Sequence, residues 1–351
     1  MQTDERIAAW VHHAIEDRWP GARVGDQVAL KGDVSTRRFW RVALEGSSAA
    51  PQSAIAIDLG PEDLPLYARE LKMYPQPLVE PLWLGVRKFL VELGAPVPAL
   101  YQWSAPERML LVEDVGAMSL FEAARANRSR AADLYRDAVK ELLRLHVDAT
   151  ARADADCIAF RIAYEERLFR WEMDRFLAFG LSALAPNQNP GILDTEIDIL
   201  AHQLGALPRV FSHRDFHGNN IFVQGEVASP KLRIIDFQDA LMAPAAQDLA
   251  VLLTTRDTCE LISPPMEDRL LDFYYASLIR RGVAKMTRQE FLRTYAMCVL
   301  QHALKCIGLF VSLERDGKRE YAAFTPYAIG QARRMLARLA PEFPQLRAAF
   351  A

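Results

Sequence analysis

The hydrophobic pattern of this chain changes period about a third of the way along, and few folds accommodate that change. Up to Val115 apolar residues come in short alternating runs; beyond Ser119 they recur every three to four positions. Residues 28–44 hold two alternating runs around Gly32-Asp33-Val34-Ser35-Thr36, the pattern of a β-hairpin with a polar turn. Ser53-Ala-Ile-Ala-Ile-Asp58 reads as a third strand, closed by Gly60 and Pro61, and residues 110–115 as a further strand running into Gly116. Helical spacing in this part is confined to Ile7, Trp10, Val11, Ala14 and Ile15 and to residues 82–93. Later, residues 131–146, 164–179 and 291–313 are helical by period, with two short strand signals at 220–223 and 232–235. A strand-rich first part joined through one strand to a helical remainder predicts an α+β fold, with residues 1–114 as a small lobe, 115–351 as a large one and a hinge at 114–116.

Charge and cysteine usage narrow the function classes. Among 351 residues, 42 are basic and 45 acidic, a net charge of −3, which offers no basic footprint for nucleic acid and no cationic block for a membrane surface. The start, Met1-Gln-Thr-Asp-Glu-Arg6, lacks the basic and apolar regions of a secretory signal. Residues 298–313 are interrupted by Gln301, His302 and Lys305 and predict a buried helix, not a membrane span. Cys157, Cys259, Cys298 and Cys306 lie far apart with no CxxC spacing, which fits small core residues in a reducing compartment and a cytoplasmic location.

The chemistry is concentrated in Phe211-Ser-His-Arg-Asp-Phe-His-Gly-Asn-Asn-Ile-Phe-Val223 and, after a short loop, Leu232-Arg-Ile-Ile-Asp-Phe-Gln-Asp239. The pattern is His-x-Asp-x-x-x-x-Asn, a strand, a turn, a second strand and Asp-Phe. Phosphoryl transfer calls for these residue types: a carboxylate to orient and accept the proton of the attacking hydroxyl, and hard oxygen ligands for magnesium on a triphosphate. Asp215 suits the first role; Asn220 and Asp236, brought together by the hairpin, suit the second. Taken singly, Asp215 and Asp236 would read as loop caps, but the joint spacing is much rarer than either. His213 reads as a brace for the loop. Asp248, in Gln-Asp-Leu-Ala, either braces the same loop or caps its own helix.

This segment resembles the catalytic and metal loops of the aminoglycoside phosphotransferase and choline kinase superfamily, relatives of the protein kinases. Four stretches are similar more narrowly to the bacterial N-acetylmuramate/N-acetylglucosamine anomeric sugar kinases. They are Ser35-Thr-Arg-Arg-Phe-Trp-Arg-Val, Asp215 to Val223, Asp236-Phe-Gln-Asp-Ala, and Leu300-Gln-His-Ala-Leu-Lys-Cys-Ile-Gly-Leu-Phe. The acidic and aromatic stretch 166–176 is similar too. The resemblance spans about residues 28–340. It implies a two-lobed protein-kinase-like fold that transfers the γ-phosphate of ATP, with Mg2+, to the anomeric hydroxyl of a cell-wall amino sugar in peptidoglycan recycling. By motif, Asp215 would be the base and Asn220 and Asp236 the metal ligands. Ser35 and Thr36 would cover the phosphates, and Glu113 and Val115 would offer backbone groups to the adenine edge. Glu172 and Asp239 would hold sugar hydroxyls or, with equal weight, serve as surface or capping acids.

One departure stands out: the third strand ends in Asp58 where a kinase carries its phosphate-binding lysine. Arg37 and Arg38 are candidates to supply that cation, since a guanidinium grips phosphate bidentately, and a solvated strand face is the competing reading. Other classes remain open at this point. His213, Asp215 and His217 are also possible ligands of a metal-dependent hydrolase. The missing lysine would suit a pseudokinase. Within the kinases, an aminoglycoside or choline is the other acceptor. Oligomeric state is not legible.

Overall fold

The computed structural model describes residues 2–30, 37–60, 64–74, 78, 80–184, 190–225, 230–258 and 260–351. The small lobe is one antiparallel sheet built from β1 (Arg23–Leu30), β2 (Arg38–Glu45), β3 (Ser53–Asp58), β4 (Leu100–Ser104) and β5 (Met109–Glu113), in the order β1-β2-β3-β5-β4. Two-residue periodicity sorts its central strands between two cores. Ala54 and Ala56 of β3 and Met109 and Leu111 of β5 pack under the leading helix α1 (Gln2–Arg18), against Ile7, Val11 and Ile15. Ile57, Leu110 and Val112 face the other way, into the core shared with the large lobe. These strands read as unbroken apolar runs because both of their faces are covered.

Two helices, α2 (Leu66–Glu70) and α3 (Leu82–Glu92), precede β4, and the large lobe follows β5. It contains α4 (Leu120–Ala126), α5 (Ala131–Leu143), α6 (Glu166–Arg175), α7 (Leu181–Leu184), α8 (Pro190–Gly205), α9 (Ala245–Thr254), α10 (Pro264–Arg280), α11 (Arg288–Arg315), α12 (Thr325–Arg338) and α13 (Pro344–Ala349). Capping boxes at Ser119 with Glu122 and at Thr287 with Glu290 fix the starts of α4 and α11. α11 is long and apolar enough to cross a membrane by composition, yet 78% of its most apolar window is buried, and it forms the central pillar of the lobe.

The helical part holds more strand than its periodicity predicts. Besides β7 (Ile221–Gln224) and β8 (Lys231–Ile234), it contains β6 (Arg209–Ser212) paired with β9 (Leu241–Pro244). A four-residue strand shows at most two alternations, too few to stand out between helices. The predicted helix over 164–179 starts later, because Tyr164 donates its backbone N–H to the Met242 carbonyl at 2.8 Å. α5 and α6 each run on into a π-helical turn, at Arg144–Ala149 and Phe176–Gly180, which helical periodicity does not distinguish from α-helix.

The second π turn lies where α11 crosses the end of α6. A Cβ on Gly308 would come within 2.5 Å of the Arg175 carbonyl carbon and the Phe176 nitrogen, both backbone atoms that no rotamer change removes. Gly308→Ala is therefore expected to lower the unfolding midpoint, by ~1–3 kcal/mol of overpacking. A Cβ on Gly330, inside α12, meets nothing within 4 Å. Gly330→Ala is expected to raise the midpoint by roughly 0.5–1 kcal/mol through backbone entropy. Denaturant unfolding of both variants checks the contrast.

Candidate active site

β6 delivers the chain to residues 213–220, and this loop is held from beneath. Asp248, in the first turn of α9, is fully buried. It accepts the backbone N–H of His213 at 2.9 Å and of Arg214 at 2.8 Å, and lies 3.1 Å from His146 Nε2. His146 sits on the first π turn, and its Nδ1 is 2.8 Å from the Tyr274 hydroxyl. Sequence periodicity leaves His146 as an isolated helical histidine, because its partner is 102 residues away. His213 Nε2 lies 3.0 Å from the Ile235 carbonyl, so the side chain joins this loop to the one after β8.

The two loops bring three acids and an asparagine together. Asn220 Nδ2 donates to the Asp215 carbonyl at 2.9 Å and lies 3.4 Å from Asp236 Oδ2. Asp236 Oδ1 accepts from Gln238 Nε2 at 2.9 Å and from Arg37 Nη2 at 3.2 Å. Arg214 and Asp236 both have positive φ, 76° and 63°, a conformation that side chains other than glycine seldom adopt and that clusters at functional sites. The Asp215 carboxylate accepts no hydrogen bond from any described residue. Burial would raise its pKa, but Arg214 first, then Lys305 and two histidines, bring it below the usual value, so it stays ionised. Asp239 goes the other way. Burial, reinforced by Asp215 and Asp236 against Arg214, pushes it up to about 6. The three-ligand hydrolase reading does not survive this geometry. His213 Nε2 is turned to a carbonyl and His217 Nε2 to the Asn220 amide at 3.2 Å, and no group of three metal-binding His, Cys, Asp or Glu occurs among the described residues.

Glu172, on α6, is buried, and both of its oxygens are engaged. Oε1 receives Lys305 Nζ at 2.8 Å and Arg214 Nη2 at 3.2 Å; Oε2 receives Gln301 Nε2 at 2.9 Å and the Tyr164 hydroxyl in a short bond. Burial opposes ionisation, but Lys305 and Arg214 overcome it and lower the Glu172 pKa to about 2. The Arg214 guanidinium also stacks 3.8 Å from the Tyr67 ring centre, on α2. A cleft of about 330 Å3 opens beside this cluster, lined by Leu66, Trp171, Arg175, Phe179, Lys305 and Leu309 among others.

From the small lobe, β5 leads into the connecting segment. Asp114 is clamped there by Arg41, whose Nε lies 2.7 Å from Oδ2, and by the Ser53 hydroxyl at 2.7 Å. Glu113 donates its N–H to the Ala99 carbonyl at 2.8 Å, whereas the N–H and carbonyl of Val115 bond to no described residue. The two candidate arginines part company. Arg37 reaches Asp236, while Arg38 pairs with Asp58 at 2.6 Å, an acid that Arg6 of α1 approaches at 3.4 Å. Asp58 continues the Ala54–Ala56 face under α1, so Arg38 lies on the side of the sheet away from the large lobe. Ser35 and Thr36 lie outside the described residues.

A five-stranded antiparallel lobe hinged to a helical lobe, with an aspartate loop and a following Asp-Phe loop facing each other, defines a phosphotransferase of the protein-kinase-like class. A model of the phosphotransferase enzyme family matches residues 67–285, more than half of the chain, and the chain belongs to that family. The N-acetylmuramate/N-acetylglucosamine kinase of Pseudomonas aeruginosa is 24% identical over 318 residues, covering 89% of this chain and 84% of the relative. A choline kinase from Streptococcus pneumoniae superposes with a TM-score of 0.58 at 14% identity, covering 95% of this chain and 99% of that one. The ADP-bound aminoglycoside phosphotransferase APH(2'')-Ib gives a TM-score of 0.56 at 12% identity, covering 95% and 99%.

The raised Asp239 makes a pH-dependent prediction. A carboxyl whose folded pKa of about 6 lies above its unfolded value of 3.8 destabilises the native state once pH exceeds both. The penalty is absent below the unfolded value, where both states are protonated, and complete above the folded one. Asp239→Asn should raise the melting temperature of the ligand-free protein at pH 7, and the gain should vanish below about pH 4. Thermal melts of both proteins across pH 3–8 check the sign.

Proposed function

We propose that this phosphotransferase moves the γ-phosphate of ATP to the anomeric hydroxyl of N-acetylmuramate, N-acetylglucosamine or both, as a step in recycling peptidoglycan sugars in the cytoplasm. The observation that carries the reading is an ionised Asp215 carboxylate, with no donor among the described residues, beside the Asn220–Asp236 pair, in a chain similar along most of its length to a named sugar kinase. Residues 1–114 would cover the nucleotide and 115–351 would hold catalytic loop, metal loop and acceptor.

In this reading the acceptor hydroxyl lies against Asp215. As its oxygen bonds to the γ-phosphorus, the bond from that phosphorus to the β–γ bridging oxygen breaks, ADP leaves, and the hydroxyl proton passes to the carboxylate. An anomeric hydroxyl is more acidic than the others of a sugar, so a carboxylate of lowered pKa suffices, and alignment carries most of the burden. Asn220 and Asp236 form an all-oxygen set suited to Mg2+, which would neutralise triphosphate charge, provided the Asn220 amide turns its oxygen inward. Arg37, which pairs with Asp236, would meet phosphate oxygens. Val115, whose backbone groups bond to no described residue, and Glu113, through its carbonyl, would meet the adenine edge. His213 and Asp248 would hold the loop rather than touch substrate. Glu172, with four donors on its carboxylate, would orient Arg214 and Lys305 rather than hold a sugar hydroxyl itself. Asp239 would take that contact.

Asp215→Asn should cut turnover by ~10²–10⁴-fold while leaving nucleotide binding and melting temperature close to wild type. Turnover at the wild-type rate would remove Asp215 from the mechanism. The acceptor atom has a separate check: phosphorylation at the anomeric carbon abolishes the reducing end, whereas phosphorylation elsewhere preserves it. A reducing-sugar assay on the product should therefore read zero. Turnover of choline or an aminoglycoside with neither amino sugar active would move the acceptor assignment. Calorimetry should show that Mg2+ strengthens ATP binding to the wild type far more than to Asp236→Ala; an equal dependence would reassign the metal site.

A further inference from the structure

The cleft beside Lys305 contains a cation with no anionic partner among the described residues. Arg175, the last residue of α6, is half-buried in the cleft wall and forms no hydrogen bond or ion pair with any described residue. The other charges lining the cleft are engaged. Lys305 is held by Glu172 at 2.8 Å, and its charge also acts on Asp215. Asp174 is paired with Arg170 at 2.7 Å, and Glu70, at the exposed rim, accepts the Trp171 indole N–H at 2.7 Å. An unneutralised guanidinium in a concave, part-apolar site is a binding group waiting for an anion.

We propose that Arg175 binds a carboxylate carried by the acceptor. The protein would then select the amino sugar that bears a lactyl ether acid, N-acetylmuramate, over the neutral N-acetylglucosamine. This rests on reading the cleft as the acceptor site of the sugar kinase proposed above. The scale fits. Glu172 touches Arg214, the residue before Asp215, and Arg175 lies three residues further along the same helix, about 4.5 Å of rise and on a neighbouring face. A sugar with its anomeric hydroxyl at Asp215 would thus extend along α6 toward Arg175. Trp171 stands one turn before Arg175, four residues back on the same face, with its indole N–H fixed by Glu70. That leaves an apolar ring for the C–H face of a pyranose beside a fork suited to bidentate carboxylate binding. A neutral sugar could use the ring but not the fork. Lys305 would not substitute, because Glu172 already holds its charge.

The test compares wild type, Arg175→Lys and Arg175→Gln with each sugar, by steady-state kinetics and by calorimetric binding of each sugar in the presence of ADP. Melting curves control for folding. Loss of one charged hydrogen-bonding group should raise KM and Kd for N-acetylmuramate at least about tenfold in the Gln variant, with the Lys variant in between. The N-acetylglucosamine constants should be little changed. An equal loss for both sugars, or no loss for either, overturns the carboxylate assignment. If the wild type turns over neither sugar, the sugar-kinase reading fails. Arg175 is then decided by calorimetry alone: N-acetylmuramate binding that the Gln variant loses keeps the carboxylate site, and no binding by wild type removes it.

Discussion

A fully buried carboxylate must have donors on every side, and meeting that demand at Asp248 organises the centre of the molecule. Two of its donors are successive backbone N–H groups of the loop after β6, and a third group, His146, comes from the π turn after α5 and is itself backed by Tyr274 of α10. One side chain on α9 thereby ties the loop to α9, to the π turn after α5 and, through His146, to α10. The Arg214 N–H is held in a left-handed backbone conformation that on its own costs ~1–3 kcal/mol, and a loop anchored only by solvent would relax out of it. Because Asp215 follows directly, its direction is set by the same anchor.

The left-handed turn also separates the two charged neighbours. Arg214 runs into the buried cluster of Glu172, Tyr67, Tyr164 and Lys305, while Asp215 has no donor among the described residues. Glu172 would be prohibitively costly to bury alone; with Lys305, Arg214, Gln301 and Tyr164 around it, the pair of cations is retained close to the loop. Their field then acts on Asp215 and outweighs the upward push of burial on its pKa. The acid on α6 thus influences the Asp215 carboxylate without touching it, and Glu172 and Lys305 of the same cluster line the neighbouring cleft.

Local structure was legible wherever it carried a long enough period or a dense enough motif. The third strand at Ser53–Asp58, the hairpin that brings Asn220 and Asp236 together, and the long helix through Leu300 and Lys305 could all be read from side-chain spacing. What stayed hidden has a common cause. β6 and β9 are four residues long, too short for a period to register, although β6 leads directly into the loop that holds Asp215. The pairs that position the site join residues far apart in the chain: His146 with Asp248 over 102 residues, Arg41 with Asp114 over 73, Arg37 with Asp236 over 199. Periodicity reports which face a residue occupies and carries no information on what it meets there. Glu172 was visible as an acid on a helix, but its four donors come from three other segments and could not be inferred from the helix itself.

The absence of a lysine at the end of β3 then has a physical consequence for the small lobe. Asp58 shares the face of Ala54 and Ala56, and that face is covered by α1, so a charged residue there must find its counter-ion on the same side. Arg38, directly opposite on β2, supplies it, with Arg6 of α1 behind. Because neighbouring residues of an extended chain point in opposite directions, committing Arg38 to Asp58 turns Arg37 toward the large lobe, where it meets Asp236. Asp58 therefore commits Arg38 to the α1 side of the sheet, while Arg37, just before β2, reaches Asp236 in the loop after β8.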